Sequence, residues 1–494
     1  MEGIEIATLM RTSGVKFGTS GARGLVRAMS DRVCYAYTLA FLDWLQDSGQ
    51  WPEQGAVALA GDFRPSTPRI MRAVASGIRT RGLEVINCGT IPTPALAHYA
   101  LGKAIPSIMV TGSHIPDDRN GIKFYKPNGE ILKDDEQAMI QRSIQLDESR
   151  FDADGQLRHA EPLPEVCPDA RARYLARYLD VFPADSFAGL RIGVYEHSSV
   201  ARDLLVEVFE RLCADVIRLA RSDTFIPVDT EAIRAEDIQL ARQWSQEYAL
   251  DAIVSADGDG DRPLLADEHG NWLRGDIAGI LCARFLEADS IALPVSCNSA
   301  VEACGWFTHI ERTRIGSPYV IAAMQHMPGN RVVGYEANGG FLTMCDIPLG
   351  KATLTALPTR DALIVPLAAL MLAQRQGCSL SALCAQLPAR FTYSDRLENF
   401  PTELSQAKLA PFYGQNGKGD IPAANALLEA SLGKVQAIDT TDGVRMTLEN
   451  GEIVHLRPSG NAPELRCYTE ADTQARAIEL NAQCMALLKQ WRQA

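Results

Sequence analysis

The sequence predicts an α/β protein of three related α/β domains in series, followed by a smaller α+β domain. Three observations predict it. A strand-loop-helix phrase occurs near residues 108–116, 191–212 and 290–299, and copies spaced by about a hundred residues suggest repeated domains. Strands alternate with helical stretches from Gly55 onward, the pattern of parallel βαβ units. Near the end, Lys434 to Leu448 alternates around Thr441-Asp442-Gly443, and a second turn follows at Glu449-Asn450-Gly451. Two hairpin signals so close together indicate antiparallel strands. At 494 residues the chain exceeds what a single hydrophobic core organises, so several domains are expected.

Taken in order, the first notable stretch is Lys16-Phe17-Gly18-Thr19-Ser20-Gly21-Ala22-Arg23-Gly24. Its glycines allow close backbone approach to an anion that Arg23 would clamp, although a plain loop reads the same way. A helix follows through Cys34 to Leu45, with Asp31 near its start. Val57 to Ala60 reads as a buried strand ending in Gly61-Asp62-Phe63-Arg64-Pro65-Ser66. A helix over 67–81, a strand over 84–88 and a helix over 94–101 come next. The apolar run Ile108 to Val110 then delivers Thr111-Gly112-Ser113-His114-Ile115-Pro116. The phrase returns as a strand over 191–195 with a helix over 202–212, and as a strand over 290–295 leading to Ser296-Cys297-Asn298-Ser299. In the last part come a strand over 453–456, a loop over 457–464, a strand over 465–469 and a helix over 472–491. Polar, Pro-containing or pattern-changing stretches at 152–168, 267–272 and 386–399 divide the chain into 1–160, 161–267, 268–388 and 389–494.

Composition narrows the partners. A formal charge of -13 argues against a nucleic-acid-binding surface, while local basic residues and amides remain able to hold small anions. The 12 cysteines form no C-x-x-C pair and no zinc-spaced cluster. Cys34, Cys88, Cys213, Cys282 and Cys297 lie in apolar surroundings and are expected in the core as reduced thiols. Residues 1–14 lack a signal-peptide core, and no run approaches the roughly 18 apolar residues of a membrane span. A soluble, cytoplasmic protein with no membrane partner is expected.

Four stretches carry chemistry. At the carboxyl end of a strand, where open α/β sheets bind ligands, Gly112 is expected to give the sharp turn and Ser113 the hydroxyl, with His114 beside it. Asp257-Gly258-Asp259-Gly260-Asp261-Arg262 follows the strand 252–254. Three carboxylates so close repel unless a cation sits among them. Alternate residues of an extended segment point the same way, so all three are expected to converge on one ion. All-oxygen ligands suit Mg²⁺ or Mn²⁺. An EF-hand is the rival, but it wants Gly at the sixth position, where Arg262 stands, and Leu264-Leu265 interrupt the loop. Gly334 to Gly340 is a polar loop in which Glu336 and Asn338 either meet sugar hydroxyls or cap a turn. Arg457-Pro458-Ser459-Gly460-Asn461-Ala462-Pro463-Glu464 is either an anion cradle or a β-turn with an incidental arginine.

Together, in this order and spacing, the four loops resemble the α-D-phosphohexomutase superfamily along nearly the whole chain. The resemblance implies three related α/β domains with mixed sheets plus a C-terminal α+β domain, arranged around a central active-site cleft. It implies an isomerase that interconverts hexose 6-phosphate and hexose 1-phosphate through a hexose 1,6-bisphosphate, which also serves as activator. Ser113 matches the serine phosphorylated in the active enzyme; Asp257, Asp259 and Asp261 match its Mg²⁺ ligands, with the phosphoserine as a further ligand. Arg262 matches the catalytic arginine beside the metal loop and Arg23 that of the amino-terminal loop, while His114 and Lys123 match groups near the transferred phosphoryl, Lys123 as general acid/base. Glu336 and Asn338 fall in the sugar-reading loop, and Arg314 where many members carry a basic residue for substrate. Arg457, Ser459, Gly460 and Asn461 match the distal phosphate site. Ile115 replaces the usual amide of Ser-His-Asn-Pro, and the sugar loop lacks the histidine of Gly-Glu-x-Ser-Gly-His, Gly340 standing there instead. The bulk of the chain favours mannose phosphate, followed by glucosamine-type and glucose phosphates, for a monomer or homodimer. A phosphatase and a non-catalytic sugar-phosphate-binding protein are the other classes; the cradle argues against the first, the intact Ser113 and triad against the second.

Overall fold

The structure is a computed structural model that describes residues 2–18, 21–414, 417–459 and 463–493. The chain divides into two compact units, Met1–Ser290 with Gly316–Ala382, and Ile291–Ile315 with Leu383–Ala494.

In the first unit, the leading sheet is mixed. Its strands run in the order Lys16–Phe17, Ala22–Leu25, Arg119–Lys126, Ser107–Val110, Ala56–Gly61, Glu84–Thr90, with Gly129–Glu130 paired to Arg119–Lys126. Ala56–Gly61 is parallel to both its neighbours, and Ser107–Val110 is antiparallel to Arg119–Lys126 with Val110 opposite Ile122. The central strands are buried throughout, as unbroken apolar runs covered on both faces require. Asp31–Asp47 and Thr67–Thr80 supply cover; the second buries Ile70, Met71, Val74 and Ile78 at helical spacing.

A second mixed sheet has the order Asp215–Arg221, Arg191–His197, Ala252–Ala256, Pro263–Ala266, its last strand antiparallel. Further along, Val332–Tyr335, Phe341–Thr343 and Leu357–Asp361 form an antiparallel set.

The second unit holds the strand Ser290–Pro294 from Ile291 onward, the strand His309–Thr313, and an antiparallel sheet in the order Phe391–Glu398, Glu464–Ala471, Ile453–Pro458, Val444–Leu448, Val435–Asp439. Ile421–Leu432 and Gln474–Gln493 pack on it around Leu428, Met446, Leu456, Leu480 and Leu488. The architecture is the expected one of mixed-sheet α/β domains followed by an α+β domain.

One core expectation fails. Cys34, Cys88, Cys282 and Cys297 are buried, but Cys213 is exposed. It stands at a left-handed φ of 66° just beyond the helix Arg202–Arg211, and the turn there leaves its thiol outside. No helix among the described residues is long and apolar enough to cross a membrane.

Candidate active site

Ser113 leaves the buried strand Ser107–Val110 on a loop that returns as Arg119–Lys126. Thr111 anchors the exit: its amide donates to Gly121 O at 3.0 Å, and its hydroxyl donates to Asp62 Oδ2 at 2.7 Å. The Ser113 amide donates to Thr111 Oγ1 at 2.7 Å. The sharp turn expected of Gly112 is instead made by Ser113 itself, whose φ is 55°. What Gly112 provides is close approach, because a Cβ there would lie 2.6 Å from Arg64 Cζ. Arg64 is 1% exposed and binds the loop from beneath. Its Nη1 donates to Pro116 O at 2.7 Å and Arg119 O at 3.0 Å, and its Nη2 donates to Ser113 O at 2.9 Å and to Ile115 O. Nε donates to Asp62 Oδ2 at 3.1 Å. Ile115 thus contributes through its backbone carbonyl, whatever its side chain.

The three aspartates converge, though not on an extended segment. Residues 257–262 form a tight turn between antiparallel strands: Gly260 N donates to Asp257 O at 3.1 Å, Asp257 N to Arg262 O at 3.0 Å, and Gly260 has a φ of 67°. One oxygen of each carboxylate falls within 4.8 Å of the others. Gly260→Ala is expected to cost about 1–2 kcal/mol in urea unfolding, since L-residues resist this backbone, and the added methyl would also sit 3.0 Å from Ala201 Cβ.

Asp257 Oδ2 accepts from Ser113 Oγ at 2.7 Å, and its Oδ1 from the amides of Asp261 and Arg262 at 3.2 Å each. Lys123 Nζ donates to Oδ2 of both Asp259 and Asp261 at 2.6 Å, and Thr93 Oγ1 also donates to Asp259 Oδ2. Oδ1 of Asp259 and Oδ1 of Asp261 are buried with no hydrogen-bond partner. Orphaned carboxylate oxygens in a buried site are costly unless a cation completes them. Two such atoms, beside an all-oxygen donor set, fit a hard divalent ion. Burial, then the charges of Asp259 and Asp261, pushes Asp257 up to about 8, a penalty that a bound cation would remove. Asp261 lies far below the usual carboxylate range, because Arg360, Lys123 and Arg262 outweigh its burial.

Arg262 Nη1 donates to His114 Nδ1 at 2.7 Å, with Ser113 Oγ 3.4 Å from the same nitrogen. Burial, then Arg262 and Arg23, holds His114 far below its ordinary range, as neutral imidazole. Arg23, whose backbone pairs with Gly121, is lowered to about 10 by burial and by Arg262 and Arg360. Glu336 and Asn338 lie between Val332–Tyr335 and Phe341–Thr343. Asn338 Oδ1 accepts from Gly340 N at 2.9 Å, so this oxygen caps the turn, and Glu336 Oε1 accepts from Arg360 Nη1 at 3.2 Å.

The second unit carries the remaining expected residues. Arg457 Nε is 2.9 Å from Asp442 Oδ1, and Ser459 N donates to Glu464 O at 2.8 Å. Arg314 is exposed, and the next amide, Ile315 N, donates to Asp442 Oδ2 at 3.0 Å. Asp442 therefore ties the Arg314 segment to Arg457. Gly460 and Asn461 lie outside the described residues.

Four family models match the chain in order. They are phosphoglucomutase/phosphomannomutase alpha/beta/alpha domain I over residues 14–151, domain II over 172–270, domain III over 274–391 and the C-terminal domain over 416–487. A phosphomannomutase of Salmonella muenchen is 46% identical over 474 residues, covering 96% of this chain and 95% of that one. The chain belongs to the phosphoglucomutase/phosphomannomutase family. Another relative, a phosphomannomutase of Sinorhizobium fredii, is 44% identical, covering 96% of this chain and 99% of that one. In fold, this family member is similar to the crystal structure of a putative phosphomannomutase from Thermus thermophilus. That match has a TM-score of 0.74 at 19% identity and covers 96% of this chain and 99% of that chain.

In this phosphoglucomutase/phosphomannomutase family member, sequence reasoning missed Arg64, Thr93 and Arg360. Asp62-Phe63-Arg64 at the end of a buried strand was a usable signal, because a charged pair entering a core needs internal partners. Thr93 and Arg360 had none: each acts on an aspartate about a hundred residues or more away.

Proposed function

We propose that the protein is a phosphomannomutase that interconverts mannose 6-phosphate and mannose 1-phosphate through phosphorylated Ser113. The observation that carries this reading is the 2.7 Å hydrogen bond from Ser113 Oγ to Asp257 in a buried three-carboxylate site. The two phosphomannomutases at 44% and 46% identity support the choice of sugar.

Phosphorylated Ser113 transfers its phosphoryl group to the free hydroxyl of a hexose monophosphate; the O–P bond to Ser113 breaks and the bond to the sugar oxygen forms. Hexose 1,6-bisphosphate results, and the other phosphate returns to Ser113, leaving the isomeric monophosphate. Added bisphosphate acts as activator by phosphorylating Ser113. Lys123 serves as general acid/base for the hydroxyl proton. Arg23 and Arg262 bind phosphoryl oxygens through their fork of donors. His114, neutral and held by Arg262, orients the phosphoryl by hydrogen bonding. Glu336 and Asn338 read sugar hydroxyls, and Arg314 binds the substrate. Arg457, Ser459, Gly460 and Asn461 hold the phosphate that is not reacting. Mg²⁺, held by Asp257, Asp259, Asp261 and phosphorylated Ser113, would neutralise and polarise the phosphoryl group. The protein works as a monomer or homodimer in the cytoplasm, where its free thiols stay reduced.

A coupled assay of mannose, glucose, glucosamine and acetylglucosamine 1-phosphates with bisphosphate present tests the reading. Mannose 1-phosphate is expected to give the highest kcat/KM; a higher value for a glucosamine phosphate would overturn the sugar assignment. Chelation is expected to abolish turnover and Mg²⁺ to restore it. Asp259→Asn should raise the Mg²⁺ needed for half-activation by about tenfold or more, roughly 1.4 kcal/mol of cation affinity. An unaltered metal requirement would remove Asp259 from the ligand set.

A further inference from the structure

Arg360 is one of the largest fully buried side chains of the protein, 1% exposed, and it sits between two loops with different tasks. Its Nε and Nη2 donate to Asp261 Oδ2 at 3.1 and 2.9 Å, and its Nη1 donates to Glu336 Oε1 at 3.2 Å. The same Nη1 lies 3.2 Å from Ser317 Oγ, which donates to Glu130 Oε2 at 3.0 Å. One planar guanidinium thus spans a carboxylate of the metal turn and a carboxylate of the sugar loop. That geometry suits arginine alone, since a lysine ammonium is a single point that cannot fork to both.

Two details give the bridge direction. On Asp261, Arg360 and Lys123 share Oδ2 and leave Oδ1 without a hydrogen-bond partner, so the arginine holds the carboxylate by one oxygen only. At Gly340, a Cβ would lie 2.4 Å from Arg360 Cδ and 2.6 Å from its Cγ. The stem of Arg360 therefore fills the space that a side chain at 340 would need. The absence of a side chain there and the presence of this arginine are one arrangement.

We propose that Arg360 is a positioning residue that fixes Glu336 relative to the metal turn and thereby sets discrimination between hexose phosphate epimers. This inference rests on the mutase reading given above. Held at Oε1, Glu336 keeps Oε2 for a sugar hydroxyl, and its distance from the metal carboxylates is set by the width of one guanidinium. An epimer whose hydroxyl is displaced by more than a hydrogen bond's tolerance leaves that oxygen unsatisfied.

The test compares wild type, Arg360→Lys, Glu336→Gln and the double variant, with Gly340→Ala as a second route that displaces the arginine stem and leaves the guanidinium chemistry intact. The measurements are the ratio of kcat/KM for mannose and glucose 1-phosphates, Mg²⁺ affinity by calorimetry, and thermal midpoint. In Arg360→Lys the ratio is expected to fall about tenfold, with Mg²⁺ affinity within about threefold of wild type. Glu336→Gln should lose the same discrimination, and the double variant should lose no more than either single. Gly340→Ala should reproduce the loss should Arg360→Lys fail to fold. Retained discrimination in folded Arg360→Lys or Gly340→Ala would overturn the proposal, and so would losses that add in the double variant. A wild type inactive on every hexose phosphate would instead overturn the mutase reading itself.

Discussion

Ser113→Ala is expected to lower turnover by about four orders of magnitude while the chain stays folded. The variant removes the only atom that carries the phosphoryl group in the proposed cycle, and a factor of 10⁴ corresponds to about 5.4 kcal/mol of barrier. Structurally the loss is small. Ser113 Oγ donates one hydrogen bond, to Asp257 Oδ2, worth about 0.5–1.5 kcal/mol. The left-handed backbone at φ 55° strains alanine and serine alike, so it adds no difference. Circular dichroism and urea unfolding should show a folded protein, and intact-mass analysis should show no phosphate incorporated from hexose 1,6-bisphosphate. Turnover within tenfold of wild type would mean that the phosphoryl carrier is another residue.

Arg64→Met is expected to destabilise the protein by about 3–5 kcal/mol. The Arg64–Asp62 pair has both side chains wholly buried, and removing one member of such a pair leaves the other as an uncompensated charge. Burial already raises Asp62, an effect that Arg64 opposes. The substitution also strips donors from the carbonyls of Ser113, Ile115, Pro116 and Arg119. Because those carbonyls belong to the loop that carries Ser113, kcat should fall together with stability. Asp62→Asn in the same chain should recover part of the stability, because it removes the uncompensated charge and keeps an acceptor for the Thr67 and Thr111 hydroxyls, but none of the turnover. Unfolding in urea and the coupled assay read the two effects separately. A loss below about 1 kcal/mol would show that the loop holds its shape without the guanidinium.

The loops of the candidate site were legible where they lay in contiguous residues. Thr111 to Pro116, Asp257 to Arg262 and Gly334 to Gly340 each announce a loop and its donors within seven letters, and the hairpin turns of the last domain did likewise. The physical cause was sometimes misassigned. Gly112 reads as a turn glycine, yet it yields space to Arg64, a residue 48 positions earlier; the aspartates read as an extended alternation, yet they converge on a turn closed at Gly260. Cys213 sits among apolar neighbours in sequence, but the left-handed turn beyond its helix turns it outward. Arg360 carried no local mark, because its meaning comes from Asp261 and Glu336 arriving from other strands. Local pattern reports backbone and turn chemistry; it does not report which distant side chain will fill a hole.

Ser113 and Lys123 come from the two arms of one antiparallel pair, where Met109 stands opposite Lys123. Side chains alternate faces along a strand, so a one-residue slip in Arg119–Lys126 would send the ammonium to the far side of the sheet. The exposed tip at Asp117 and Asp118 is under no such constraint. Over generations, insertions and deletions between Ser107 and Lys126 should therefore accumulate at that tip alone, with the arms frozen in length.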